Sequence, residues 1–167
     1  MCLGCPWDPE ELKRRVAAAH PSFYLISSRT PGATWKVLWY RANPGRSCKV
    51  DLLLPGVMDI PSVPIGDIEY PEQGKPCAPF ALVFLSKIHA WVQHRDAEEM
   101  RFRAKARTDA RDLIKMLPIA ITKGLSIQNK EAHLSPLLVA SATSGVPKFV
   151  EERPETLDGW RAFGFSV

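Results

Sequence analysis

The sequence predicts an α+β fold: an N-terminal helix, a small mixed or antiparallel sheet, and a helical C-terminal half. Three observations carry that expectation. Residues 23–54 hold β-rich apolar segments separated by Thr30-Pro31-Gly32 and Asn43-Pro44-Gly45, the pattern of a meander joined by short turns. Prolines then crowd at Pro55, Pro61, Pro64, Pro71, Pro76 and Pro79, which favours extended connection over helix. Beyond Pro79, apolar residues recur at helical spacing.

Each element has its own local signal. Trp7-Asp8-Pro9-Glu10-Glu11 opens the first helix: Asp8 can cap, Pro9 suits the first turn, and the glutamates favour the positive end of the dipole. Leu12, Val16 and Ala19 give it one apolar stripe, and His20-Pro21 ends it. Phe23–Ile26 and Thr34–Tyr40 read as strands. A third, Arg46–Gly56, places Cys48, Val50, Leu52 and Leu54 on one face and Lys49, Asp51 and Leu53 on the other. A short extended piece is expected around Ile65–Ile68.

Pro79–Gln93 is apolar almost all round and should be a largely buried helix. Lys87, inside it, must snorkel to the surface or meet an anion. Met100–Leu117 is the next helix, with Ala104, Ala110, Leu113, Ile114 and Leu117 inward. Lys105, Asp109 and Asp112 can share one of its flanks. Ser135 or Pro136 opens a last helix through Ala142 that resumes toward Val150, and the aromatic Thr156–Phe165 stretch should dock on the core. The expected division is a sheet-containing part, 1–77, and a helical part, 78–167, within one unit.

At 167 residues, 46% apolar and 24% charged, the chain has the composition of a globular domain with a substantial core. A net charge of +4 with interspersed signs permits nucleic-acid binding without indicating it. Cys2-x-x-Cys5 has the spacing of half a zinc site, but a closed site needs four ligands, so structural zinc is not expected. The sequence lacks a secretory leader pattern and any apolar run of ~20 residues. An intracellular, cytoplasmic setting with reduced thiols and no membrane partner is therefore expected.

Two features bear on chemistry. Asp51 lies among apolar residues, where a carboxylate is costly unless a cation, a metal ion or backbone N–H groups pair with it. The alternative is an edge-strand aspartate facing water. The flank Lys105-x-Arg107-x-Asp109-x-x-Asp112 is commonly a solvated ion-pair surface. Taken with Asp51 and Lys87, it also supplies what phosphoryl and nucleotidyl transfer require: carboxylates for divalent metal and a cation for the triphosphate.

In these residues the chain resembles the nucleotidyltransferase-fold superfamily, in its AbiEii/MenT toxin-like branch, and more closely uncharacterised fungal proteins expected to carry that fold. The stretches are TPGATWKVLWY (Thr30–Tyr40), CKVDLLLPGVMDIP (Cys48–Pro61), APFALVFLSKIHAWVQHR (Ala78–Arg95) and KARTDARDL (Lys105–Leu113). The resemblance implies that Asp51 is the third carboxylate of a magnesium-binding set, that Lys87 contacts the phosphates of a nucleoside triphosphate, and that Asp109 acts at the active site. Asp112 would hold its helix in place. Asp51 and Lys87 should then face each other across one cleft.

The departure from the family pattern is its signature, Gly-Ser or Gly-Gly followed by Asp-x-Asp, which occurs nowhere in this sequence. The resemblance implies that those motifs belong to a helix and strand preceding Met1-Cys2-Leu3, so the chain is read as N-terminally truncated. Without two of three metal carboxylates, little or no transferase activity is expected. Two further readings stand beside this one. The first is a non-enzymatic interaction module that pairs through an exposed sheet edge. The second is an RNA-binding groove lined by Arg95, Arg101, Arg103, Arg107 and Arg111, opposed by the interspersed Asp96, Glu98, Glu99, Asp109 and Asp112.

Overall fold

A computed structural model describes residues 8–56, 60–71, 74–128 and 134–167. The first helix, α1 (Pro9–Ala19), starts where its signals lie: the Asp8 carboxylate accepts from the Glu10 and Glu11 N–H groups at 3.1 and 3.3 Å. Three strands follow, β1 (Phe23–Ser27), β2 (Lys36–Asn43) and β3 (Arg46–Val50), antiparallel in the order β1-β2-β3. Pro44-Gly45 forms the β2–β3 turn, with Gly45 at φ +81°, a conformation glycine reaches without steric cost. Leu25, Leu38 and Val50 align across the strands, and Leu38 is fully buried. α1 packs on β1 and β2. It is also clipped to the sheet: Lys36 N–H donates to Glu10 Oε2 at 3.1 Å, and Lys13 Nζ donates to the Lys36 carbonyl at 2.7 Å.

That clip explains a difference from the expected strand Arg46–Gly56. β3 ends at Val50. Ser28 N–H donates to the Trp35 carbonyl, so Trp35 faces β1 and, by alternation, Lys36 faces away from it. Lys36 is where Leu52 would pair in the β2–β3 register, and both its backbone groups are taken by α1 side chains. The in-out pattern nevertheless persists past the ladder: Val50, Leu52 and Leu54 are half-buried, while Asp51 and Leu53 are exposed.

The chain divides into two units, Met1–Leu54 and Pro55–Val167. The second unit begins with the proline-rich tract. Ile65–Asp67, expected to be extended, is a 3-10 turn after Pro64, and an isolated bridge joins Glu69 to Cys77. Three long helices follow, α2 (Phe80–Arg95), α3 (Met100–Thr122) and α4 (Pro136–Glu152), then the short α5 (Leu157–Phe163). α3 runs through Pro118 instead of stopping at Leu117. A proline forfeits only one backbone bond and strains one turn, and burial of Leu117 and Ala120 holds the helix on either side of it. α4 is likewise continuous through Pro147, capped by the Ser135 hydroxyl accepting from Leu138 N–H.

The core of this unit is aromatic and aliphatic. Phe84, Ile88 and Trp91 of α2 meet Leu113 and Leu117 of α3, Val146 and Phe149 of α4, and Trp160 and Phe163 of α5. The tail docks as the sequence predicts, with Trp160 fully buried and donating from Nε1 to Thr156 Oγ1 at 3.1 Å. Ala104, expected inward, is exposed; the inward stripe of α3 is Asp109, Ala110, Leu113, Leu117 and Ala120. α4 approaches α2 closely at Gly145, where a Cβ would stand 2.5 Å from Val92 Cγ2. The α+β class is as expected, with a three-stranded sheet near the N-terminus and a helical C-terminal half. No helix among the described residues is long and apolar enough to cross a membrane. The Cys2-x-x-Cys5 pair and the expected strand end at Met1–Leu3 lie outside the described residues.

Candidate functional site

Lys87 and His94 are seven residues apart on α2, two helical turns, and therefore share one face. Asp109 lies between them on α3. Lys87 Nζ donates to Asp109 Oδ1 at 3.1 Å, and His94 Nδ1 donates to Asp109 Oδ2 at 2.6 Å. Lys87 Nζ also stands 3.1 Å from Asp112 Oδ2. One carboxylate thus receives a charge-assisted bond on each oxygen, and one ammonium spans two carboxylates one turn apart. This is the paired environment that a lysine in an oily helix requires.

Exposure separates the two carboxylates. The Asp109 side chain is 9% exposed and Asp112 42%, with Lys87 at 30%. Burial by itself would lower the Lys87 ammonium, but the hydrogen bonds and negative charges of Asp109 and Asp112 more than reverse this and hold it above the usual lysine value. Lys87 is therefore a fixed cation at neutral pH. Chemically, an incoming anion can displace exposed Asp112 from the ammonium far more cheaply than buried Asp109.

The rim is aromatic and basic. Phe102 stacks on His94 with ring centroids 5.9 Å apart, and Arg101 and Lys105 lie over its ring at 4.7 and 5.2 Å. Lys105 thus meets Phe102, four residues from Asp109 though it is, while Asp109 turns inward to α2. His94 and Phe102 went unrecognised in the sequence because α2 and α3 meet only in three dimensions. The available signal was the seven-residue interval from Lys87.

Asp51 belongs to the first unit and stands immediately beyond β3. It is not the buried strand carboxylate expected: its side chain is 64% exposed and pairs with Lys49 Nζ at 2.7 Å. The reason is the short ladder described above, which leaves this segment at the sheet's margin. Among the described residues no group of three or more His, Cys, Asp or Glu side chains is arranged to hold a metal ion. Asp51 is a lone, exposed carboxylate whose described partner is the Lys49 ammonium. It does not constitute a dedicated two-metal site.

Of the arginines considered for an RNA groove, Arg95 bonds Glu152 and Asp96 and Arg101 bonds Glu99, so these two sit in self-paired surfaces. Comparison with known proteins finds no family model, no curated protein and no solved structure that matches the chain.

Proposed function

We propose that this chain is a nucleotidyltransferase-like protein that binds a magnesium-bound nucleoside triphosphate, with Lys87 on the phosphates and Asp109 holding Lys87 in place. The observation that supports it best is the Lys87–Asp109–Asp112 cluster. An ammonium protonated at neutral pH, part-exposed and bonded to a buried carboxylate, has a more exposed partner that phosphate oxygens can replace. The transfer reaction, a nucleoside monophosphate passed to an acceptor, needs further metal carboxylates that an Asp-x-Asp would supply, and this sequence contains none. Binding without efficient transfer is therefore the activity proposed for these 167 residues.

Calorimetric titration with ATP and CTP in the presence of magnesium tests this reading. Wild type should bind and Lys87→Ala should lose binding. Absence of binding by a folded wild type would end the proposal. A second reading, a non-enzymatic interaction module, is favoured by the internal pairing of both candidate charges, Lys87 with two aspartates and Asp51 with Lys49. It predicts self-association or partner capture through an edge of the three-stranded sheet, read by sedimentation.

A further inference from the structure

The sheet of the first unit has a second face, opposite Leu38, that carries Tyr24 and Ile26 from β1, Val37 and Trp39 from β2, and Lys49 from β3. At one end Arg41 covers Tyr24, its guanidinium 5.2 Å from the ring centroid. The rest is a groove of about 300 Å³ lined by Ile26, Ser27, Arg29, Val37, Trp39 and Lys49. Its floor is apolar: Ile26, Val37 and the Trp39 indole. Its polar groups stand at the rim.

The two rim cations differ. Lys49 is committed to Asp51 at 2.7 Å. Arg29, exposed in the β1–β2 turn, has no ion pair among the described residues. That turn is fixed by Ser28 N–H donating to the Trp35 carbonyl, Ala33 N–H to the Thr30 carbonyl, and Thr30 N–H to Ser28 Oγ. Arg29 therefore lines the groove from a fixed turn, with its donors unspent among the described residues.

We propose that this groove binds a small amphipathic monoanion, a flat aromatic or aliphatic body bearing one carboxylate. The body lies on Trp39, Ile26 and Val37, and the carboxylate accepts two parallel bonds from Arg29, the geometry a guanidinium favours. At roughly 30 Å³ per atom, the share of a water molecule in the liquid, the groove admits a body of about ten heavy atoms. Small-molecule sites commonly combine such an apolar surface with a few fixed polar groups. This inference goes beyond the nucleotide reading and depends on neither Asp51 nor Lys87.

The test is a titration of the full chain with 2-naphthoate and, separately, with uncharged 2-naphthylmethanol, followed by amide and indole NMR shifts. Naphthoate should move the Trp39 indole and the amides of Ile26, Arg29 and Val37. Arg29→Met should weaken naphthoate about tenfold or more, the scale of a lost charged hydrogen bond, while leaving naphthylmethanol unchanged. Arg29→Lys should fall between. The uncharged ligand and the spectrum of the variant report that the groove is still formed. No naphthoate binding by wild type, shifts located elsewhere, or equal weakening of both ligands in Arg29→Met would each overturn the proposal.

Discussion

Asp109 of α3 and His94 of α2 are joined by a 2.6 Å bond between Oδ2 and Nδ1, deep enough that the carboxylate is 9% exposed. With Lys87 on the other oxygen, Asp109 fastens α2 to α3 from the buried side, while Asp112 reaches the same ammonium from the exposed side. Removing its charge leaves the part-buried ammonium with the exposed Asp112 alone. Asp109→Asn should therefore cost about 2–3 kcal/mol, toward the lower end for a broken buried pair. Asp112→Asn, at an exposed position, should cost under about 1 kcal/mol. Urea unfolding of both variants gives the comparison, and equal costs would contradict the assignment of roles.

The same cluster predicts an alkaline signature. The folded Lys87 ammonium is held above the ordinary lysine value of 10.5. A raised cationic pKa contributes stability that is complete below the unfolded value and disappears as pH climbs through the folded one. Wild type minus Lys87→Met stability should thus be flat through neutrality and shrink only above the usual lysine range. A difference that shrinks on acidification instead would point to another group.

The acid side belongs to Glu10. Its carboxyl is held below the ordinary value of 4.5, first by the hydrogen bond from Lys13 and then by the Lys36 N–H. A depressed carboxyl contributes stability present above the unfolded pKa and lost as pH falls through the folded one. Glu10→Gln should remove part of the acid sensitivity of the α1–sheet unit, visible as a smaller loss of amide protection at Lys36 and its β2 neighbours between mildly and strongly acidic pH. Because the pair is near the surface, added salt should shrink the effect.

Packing gives a prediction with a built-in control. Gly145→Ala places a Cβ 2.5 Å from Val92 Cγ2, an overlap that should cost about 1–3 kcal/mol. Val92→Ala in the same chain removes the obstructing methyls, so the double variant should be more stable than additivity of the two single changes predicts. Additive costs would mean that α2 and α4 are not in this contact.

How far the sequence reveals these features follows from the range of the interactions. α1 was legible because its cap, its proline and its acidic first turn are neighbours in the chain. The docking of Trp160–Phe165 was legible because so much aromatic surface has to be buried. The end of β3 was not, since it is decided by Glu10 and Lys13 occupying Lys36 from a distant helix. Pro118 reads as a break because a proline's local cost is visible and the tertiary burial that outweighs it is not. Lys87, Asp109 and Asp112 were each singled out, but Lys87 was expected to face Asp51 and not to bridge the two α3 aspartates: that bridge depends on how α2 meets α3, the exposure of Asp51 on where β3 ends, and His94 was signalled only by its interval from Lys87.

One spectrum bears on the nucleotide reading without an enzymatic assay. The side-chain nitrogen resonance of Lys87, assigned by comparison with Lys87→Arg, should move when magnesium-ATP is added at millimolar concentration and stay fixed with magnesium alone, as Asp112 yields its place to phosphate. If the resonance is unmoved while the protein remains folded, Lys87 is a structural tie between α2 and α3 and no phosphate reaches it.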